Sequence, residues 1–172
     1  MSTTLAMRGS KMLLLAAVAF FFTLVALNNT TDYDSNFQFV RHVLMMDSTF
    51  PGNRGMWRAI DAAWIHTAFY VGIIVWEMAN AVLGWWGALR LLRALRAPAV
   101  EFQRAKGMGV AALTSGMLLW FLAFLSVGGE WFLMWQSKTW NGQDAAFRMF
   151  AVEALVLILL MLPEPGGDEF VG

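Results

Sequence analysis

Four long apolar runs, at residues 12–27, 62–89, 107–128 and 145–162, leave this chain few folds to choose from. A helix rises about 1.5 Å per residue and a bilayer's hydrocarbon core is about 30 Å thick, so runs of this length suit membrane-crossing helices. The shortest run, 12–27, spans about 24 Å and needs flanking residues or local thinning to complete a crossing. The pattern predicts an all-α membrane protein: four transmembrane helices in one bundle, with a structured first outer loop, forming a single integral domain over 1–172. Composition supports this, because only 14% of the residues are charged. A soluble domain carries about 25% and does not gather its apolar residues into blocks.

Charge sets an orientation. The connection at 90–106 holds Arg90, Arg93, Arg96, Arg104 and Lys106 against Glu101 alone, so the positive-inside rule predicts that it is cytoplasmic. Arg8 and Lys11 ahead of the first run agree, and four crossings then put both termini inside and the loops at 28–61 and 129–144 outside. Val25-Ala26-Leu27-Asn28 lacks the small residues of a signal-cleavage site, so the first run is expected to be a retained span. The tail from Pro163 carries Glu164, Asp168 and Glu169 with no base, and is expected to fray.

Several function classes lose support at once. A net charge of zero, with acids and bases interspersed, gives no basic stripe for nucleic acid. Cysteine is absent, which removes disulfides, thiolate metal sites and thiol nucleophiles. No HExxH, glycine-rich phosphate loop or Ser-His-Asp pattern occurs, so no catalytic residue, metal or cofactor is assigned. His42 and His66 have no short spacing, which makes a shared haem or metal site the weaker reading. Asp32-Tyr33-Asp34-Ser35-Asn36 opens like a calcium loop, but Phe37 and Val43 stand where glycine and glutamate are required.

The polar residues inside the runs are more informative. His66, Tyr70, Ile73, Glu77, Asn80 and Gly84 recur at alternating steps of three and four, which lines them along one face of the second helix. A face with a carboxylate and an amide turns into the bundle, away from lipid. Glu77 and Glu153 both lie near mid-span. A lone buried charge is so costly that at least one of the two is expected to be protonated at neutral pH, or each to have a basic or amide partner. Such acids serve either as a proton or cation relay or as interhelical pins. An Arg148–Glu130 ion pair is expected between the ends of the fourth and third spans. Gly109, Ala112 and Gly116, with Gly84 and Ala88, predict close helix crossings.

The loops carry their own patterns. Asn36 or Ser35 can cap a short helix presenting Phe37, Val40, Val43 and Leu44 on one face, either as a lid or as an interfacial tether. The second outer loop packs Glu130, Trp131, Trp135, Gln136, Trp140, Asn141 and Gln143 together, with Arg148 following. This mix suits a pocket rim or a docking surface as well as an aromatic anchor at the membrane interface.

The string GGEWF-x-MWQSKTWNGQ-x-AAFR from Gly128 to Arg148 resembles the small bacterial membrane proteins of the domain-of-unknown-function 2165 family. The segment Asn28 to Asn53 and the pair Trp76-Glu77 match the same family. The resemblance implies a four-span bacterial membrane protein with no established activity, substrate or cofactor, and suggests that the two outer loops belong together functionally; the expected location is a bacterial inner membrane. The functional expectation is an accessory or assembly subunit that sits in lipid and docks another membrane protein, or itself, through the outer loops. The alternative is a small carrier or channel in which Glu77 and Glu153 handle a proton or cation.

Overall fold

The computed structural model describes residues 3–164, and these are all helix, turn or irregular connection, without strands. Helix α1 covers Thr3–Thr31, α2 Tyr33–Met45, α3 Ala63–Ala94, α4 Ala99–Ala105, α5 Gly107–Leu118 and α6 Gln143–Met161. α5 continues without a break as a π-helix over Leu119–Trp131, and 3-10 turns lie at Met56–Arg58 and Met134–Gln136.

Three helical stretches are long and apolar enough to cross a membrane: Thr3–Thr31, Ala63–Ala94 and Ala99–Trp131. The expected fourth falls short of that standard. α6 has 19 residues, and Asp144, Arg148 and Glu153 interrupt its apolar sequence. α1, by contrast, extends well beyond the run at 12–27 in both directions, because Thr3–Lys11 and Asn28–Thr31 continue the same helix. Each long helix turns large apolar side chains outward, among them Phe20 and Leu24, Val75 and Val82, and Leu122. Surfaces of this kind are stable in hydrocarbon and are liabilities in water.

Glycines set how closely the helices pack. A Cβ at Gly84 would lie 2.8 Å from that of Ala19, and one at Gly87 would lie 2.8 Å from the backbone nitrogen of Gly109. Both crossings therefore admit only hydrogen, and they draw α1, α3 and α5 together. Gly109 faces Leu15 and Leu160, and Gly116 faces Phe22 and the Glu153 carboxyl, which brings α6 into the same bundle. Leu15, Phe22, Leu113, Trp120 and Leu160 form the inner core. A second core of Val43, Leu44, Met46, Tyr70, Phe132 and Met134 joins α2 to α3 and to the loop after the π-helix.

The short loop helix exists but begins earlier than its expected caps. Asp32, rather than Asn36 or Ser35, holds the N-cap position, and Ser35 donates its hydroxyl to Asp32 Oδ1 at 3.0 Å. Met46 ends α2 in the left-handed region (φ 53°), with its side chain buried. The Ile60 amide then donates to the Leu44 carbonyl at 2.8 Å and folds the loop back across α2.

Candidate functional site

Along α3, His66, Tyr70, Glu77 and Asn80 are all buried within the bundle. His66 Nε2 lies 2.8 Å from the Ile60 carbonyl, and Tyr70 donates its hydroxyl to the Asn29 carbonyl at 3.1 Å. The partner of Glu77 is Asn29, whose amide donates to Glu77 Oε2 at 2.7 Å. Sequence reasoning placed Asn29 in a loop and missed it. The signal was present: Leu15, Ala19, Phe22, Ala26 and Asn29 recur at steps of four and three, so Asn29 continues the buried face of α1 past its apolar run.

Glu153 on α6 is fully buried and has a separate partner, the Trp120 indole, which donates to Oε1 at 2.7 Å. Its Oε2 and both polar atoms of the Asn80 amide have no hydrogen-bond partner among the described residues. Glu77 and Glu153 do not hydrogen-bond each other. The structure gives two separate polar clamps, one joining α1 to α3 and one joining the π-helix to α6.

At the opposite end from the base-rich connection, the two long loops meet. Ser48 donates to Ser137 Oγ at 2.8 Å, and the Phe50 amide donates to Gln136 Oε1 at 3.0 Å. Ser137 Oγ also accepts the Trp140 amide at 2.8 Å, which fixes the turn carrying that indole. His42 stacks on Trp140 with ring centres 4.6 Å apart and places Nδ1 2.6 Å from Asp47. The two histidines are thus engaged separately, and no group of three or more metal-ligating side chains occurs among the described residues.

The exposed part of this face is an aromatic ridge. Trp57 and Trp131 meet edge to face at 5.7 Å, and the Arg58 guanidinium lies 5.7 and 5.5 Å from their ring centres. Arg58 also reaches the Glu130 carbonyl at 3.4 Å. Trp135 packs edge to face on Phe50 at 5.8 Å. Trp57 remains 76% exposed and Trp131 49%, so the ridge is ordered yet open. Asn141 is exposed and accepts the Gln143 amide at 3.1 Å, and the Gln143 side chain lies against Gly129. The expected Arg148–Glu130 ion pair does not form. Both side chains are exposed, and Glu130 meets Arg58 through its backbone instead.

The family model for "Predicted small integral membrane protein (DUF2165)" matches residues 7–163, which includes both interior carboxylates and both long loops. The chain belongs to the DUF2165 family. It is an integral membrane protein with apolar helices. No curated protein and no solved structure matches it.

This DUF2165 protein has one further polar cluster that was not foreseen, at the base-rich end. Glu164 accepts from Arg8 Nε at 3.1 Å, Lys11 Nζ at 2.6 Å and Lys106 Nζ at 2.9 Å. Arg8 also donates to the Leu95 and Ala97 carbonyls, while Lys11 and Lys106 both donate to the Leu162 carbonyl. All four side chains are buried. Burial pushes the Glu164 carboxyl up, but hydrogen bonds from Lys11, Lys106 and Arg8 outweigh it and hold the group below the usual carboxylate range. The expected fraying is therefore wrong at Glu164; Asp168 and Glu169 lie outside the described residues. These partners are far apart in sequence, and only the return of α6 to the start of α1 brings them together.

Proposed function

We propose that this protein is an accessory or assembly subunit of a bacterial inner-membrane complex, docking its partner through the outer aromatic ridge. The ridge of Trp57, Arg58 and Trp131 carries the proposal. Trp and Arg dominate the energetics of protein interfaces, and here they are held in place before any partner arrives. Glu130, Trp135 and Gln136 would extend the contact surface around it, with Trp140, Asn141 and Gln143 as its supports.

Four crossings with both termini in the cytoplasm suit this role. α6 is shorter than the other spans, but it runs from the loop end of the bundle to the base-rich end. Its length of about 28 Å approaches the thickness of the hydrocarbon core. Its outward residues Val152, Leu155, Ile158 and Leu159 are apolar and exposed, while Glu153 points inward. Asp144 and Arg148 lie in its first turns, next to the outer loops.

The carrier reading has one observation in its favour: the unpartnered Asn80 amide and Glu153 Oε2. Against it, the cavities of about 380 Å³ and about 720 Å³ that touch α3 are not lined by Glu77, Asn80 or Glu153. A relay needs access to these groups, and structural clamps do not.

Extraction of tagged protein from native membranes in a mild detergent tests the proposal. Wild type and Glu77→Gln are expected to retain a membrane partner. Trp57→Ala with Trp131→Ala should lose it, since one hot-spot residue contributes about 2 kcal/mol or more, roughly thirtyfold in affinity. Recovery of the wild-type protein alone would refute docking.

A further inference from the structure

Between α2, α3 and the π-helix lies a cavity of about 380 Å³. Phe39 and Val43 of α2 wall it on the loop side, Gly72 and Trp76 on the α3 side, and Phe124 and Gly128 on the π-helix side. Its volume falls within the range of ligand pockets, about 300–1,000 Å³. Every lining side chain is apolar apart from the Trp76 indole N–H, and that donates to Ser115 Oγ at 2.9 Å. An apolar cavity of this kind does not hold water and accepts apolar ligands. The π-helix contributes a third of the wall, and π-helical segments in proteins are rare and often mark functional positions.

The direction of the opening selects the ligand. Phe69, Gly72, Leu122 and Val127 line the cavity and are also exposed on the outer surface of the bundle. The mouth therefore opens sideways between α3 and the π-helix, onto the apolar face that meets lipid. A quinone ring or a free carboxylate inside would find no side chain free to hydrogen-bond it. Only hydrocarbon fits, and the head attached to it must stay outside, at the membrane interface.

We propose that this cavity retains one acyl chain of a glycerophospholipid, inserted sideways from the leaflet beside α2. Walls on three sides distinguish this chain from those lying against the open faces of the bundle. Gly72 provides the means of closing the site, because a Cβ built there meets nothing within 4 Å. Gly72 lines the mouth, so a large side chain at this position has open space in which to obstruct it.

The full chain in phosphatidylethanolamine vesicles, with a trace of the same lipid carrying a photoactivatable diazirine on its acyl chain, tests the assignment. Adducts should concentrate several-fold in residues 68–76 and 122–134 over the exposed α6 face at 152–159. Gly72→Phe should abolish that enrichment, with helical content unchanged by circular dichroism. Equal labelling of the cavity and of α6 in the unmodified protein would overturn the proposal, as would enrichment that survives a folded Gly72→Phe. If Gly72→Phe does not fold, the unmodified map decides. Enrichment with a diazirine fatty acid but not with the phospholipid would overturn the choice of ligand. A cross-linked dimer through these residues would show that a second copy fills the site instead.

Discussion

When Glu164 is changed to Gln, Arg8, Lys11 and Lys106 lose the carboxylate they share. Removing one partner from a buried charge cluster leaves the others uncompensated and costs about 3–5 kcal/mol. Thermal unfolding in detergent should therefore show a clear drop in midpoint at neutral pH, and an unchanged midpoint would refute a stabilising role for the Glu164 cluster. The pH dependence has a defined sign. The folded-state pKa of Glu164 is depressed, so its contribution is present above the usual carboxylate range and is lost as pH falls through the lowered value. Wild type should lose stability on acidification through that window, and Glu164→Gln should lose much less. Single residues differed in how legible they were. Glu77 and Glu153 stood out because acids inside apolar runs demand partners. Their actual partners, Asn29 and Trp120, were harder to see. Asn29 lies beyond the end of a run, and Trp120 sits inside an apolar run whose spacing does not show that its indole faces Glu153.

Among the helices, glycines decide what can be changed. Gly87→Ala would push a Cβ into the Gly109 backbone, which has no flexible end to move aside, and overpacking of this kind costs about 1–3 kcal/mol. Gly72→Ala meets open space and exchanges glycine for a better helix former, so it should be neutral or stabilising by up to about 1 kcal/mol. Midpoints of the two variants, measured side by side, check this contrast; equal losses would contradict the packing described for α3 and α5. The spacing of Gly109, Ala112 and Gly116 made that crossing visible in the sequence. The π-helix was not visible, since its i→i+5 bonding leaves no residue signature, and neither was the early start of α2 at Tyr33. The polar cluster Asp32 to Asn36 offers several caps of similar chemistry, and only the packing of Tyr33 on Tyr70, with ring centres 4.7 Å apart, selects among them.

For the whole molecule, the apolar runs announced a helical membrane protein because nothing else satisfies the backbone in hydrocarbon. They did not settle the number of crossings. α6 carries three charged residues, Asp144, Arg148 and Glu153, the last of them fully buried because the inner face of the helix serves Trp120 and Gly116 while its outer face is apolar. A count of charged residues does not distinguish an acid turned inward, such as Glu153, from one turned outward. The docking proposal depends on the ridge lying outside and the Glu164 cluster lying inside. The chain has no cysteine, so single cysteines report their side without background. Lys138→Cys and Glu101→Cys both strengthen the charge bias from which the orientation is proposed, and both positions are exposed. Pro163→Cys reports on the far end of α6. With a membrane-impermeant maleimide, Lys138→Cys should label in intact cells, whereas Glu101→Cys and Pro163→Cys should label only after permeabilisation. Labelling of Pro163→Cys in intact cells, or protection of Lys138→Cys, would contradict a four-crossing bundle with its aromatic ridge facing outward.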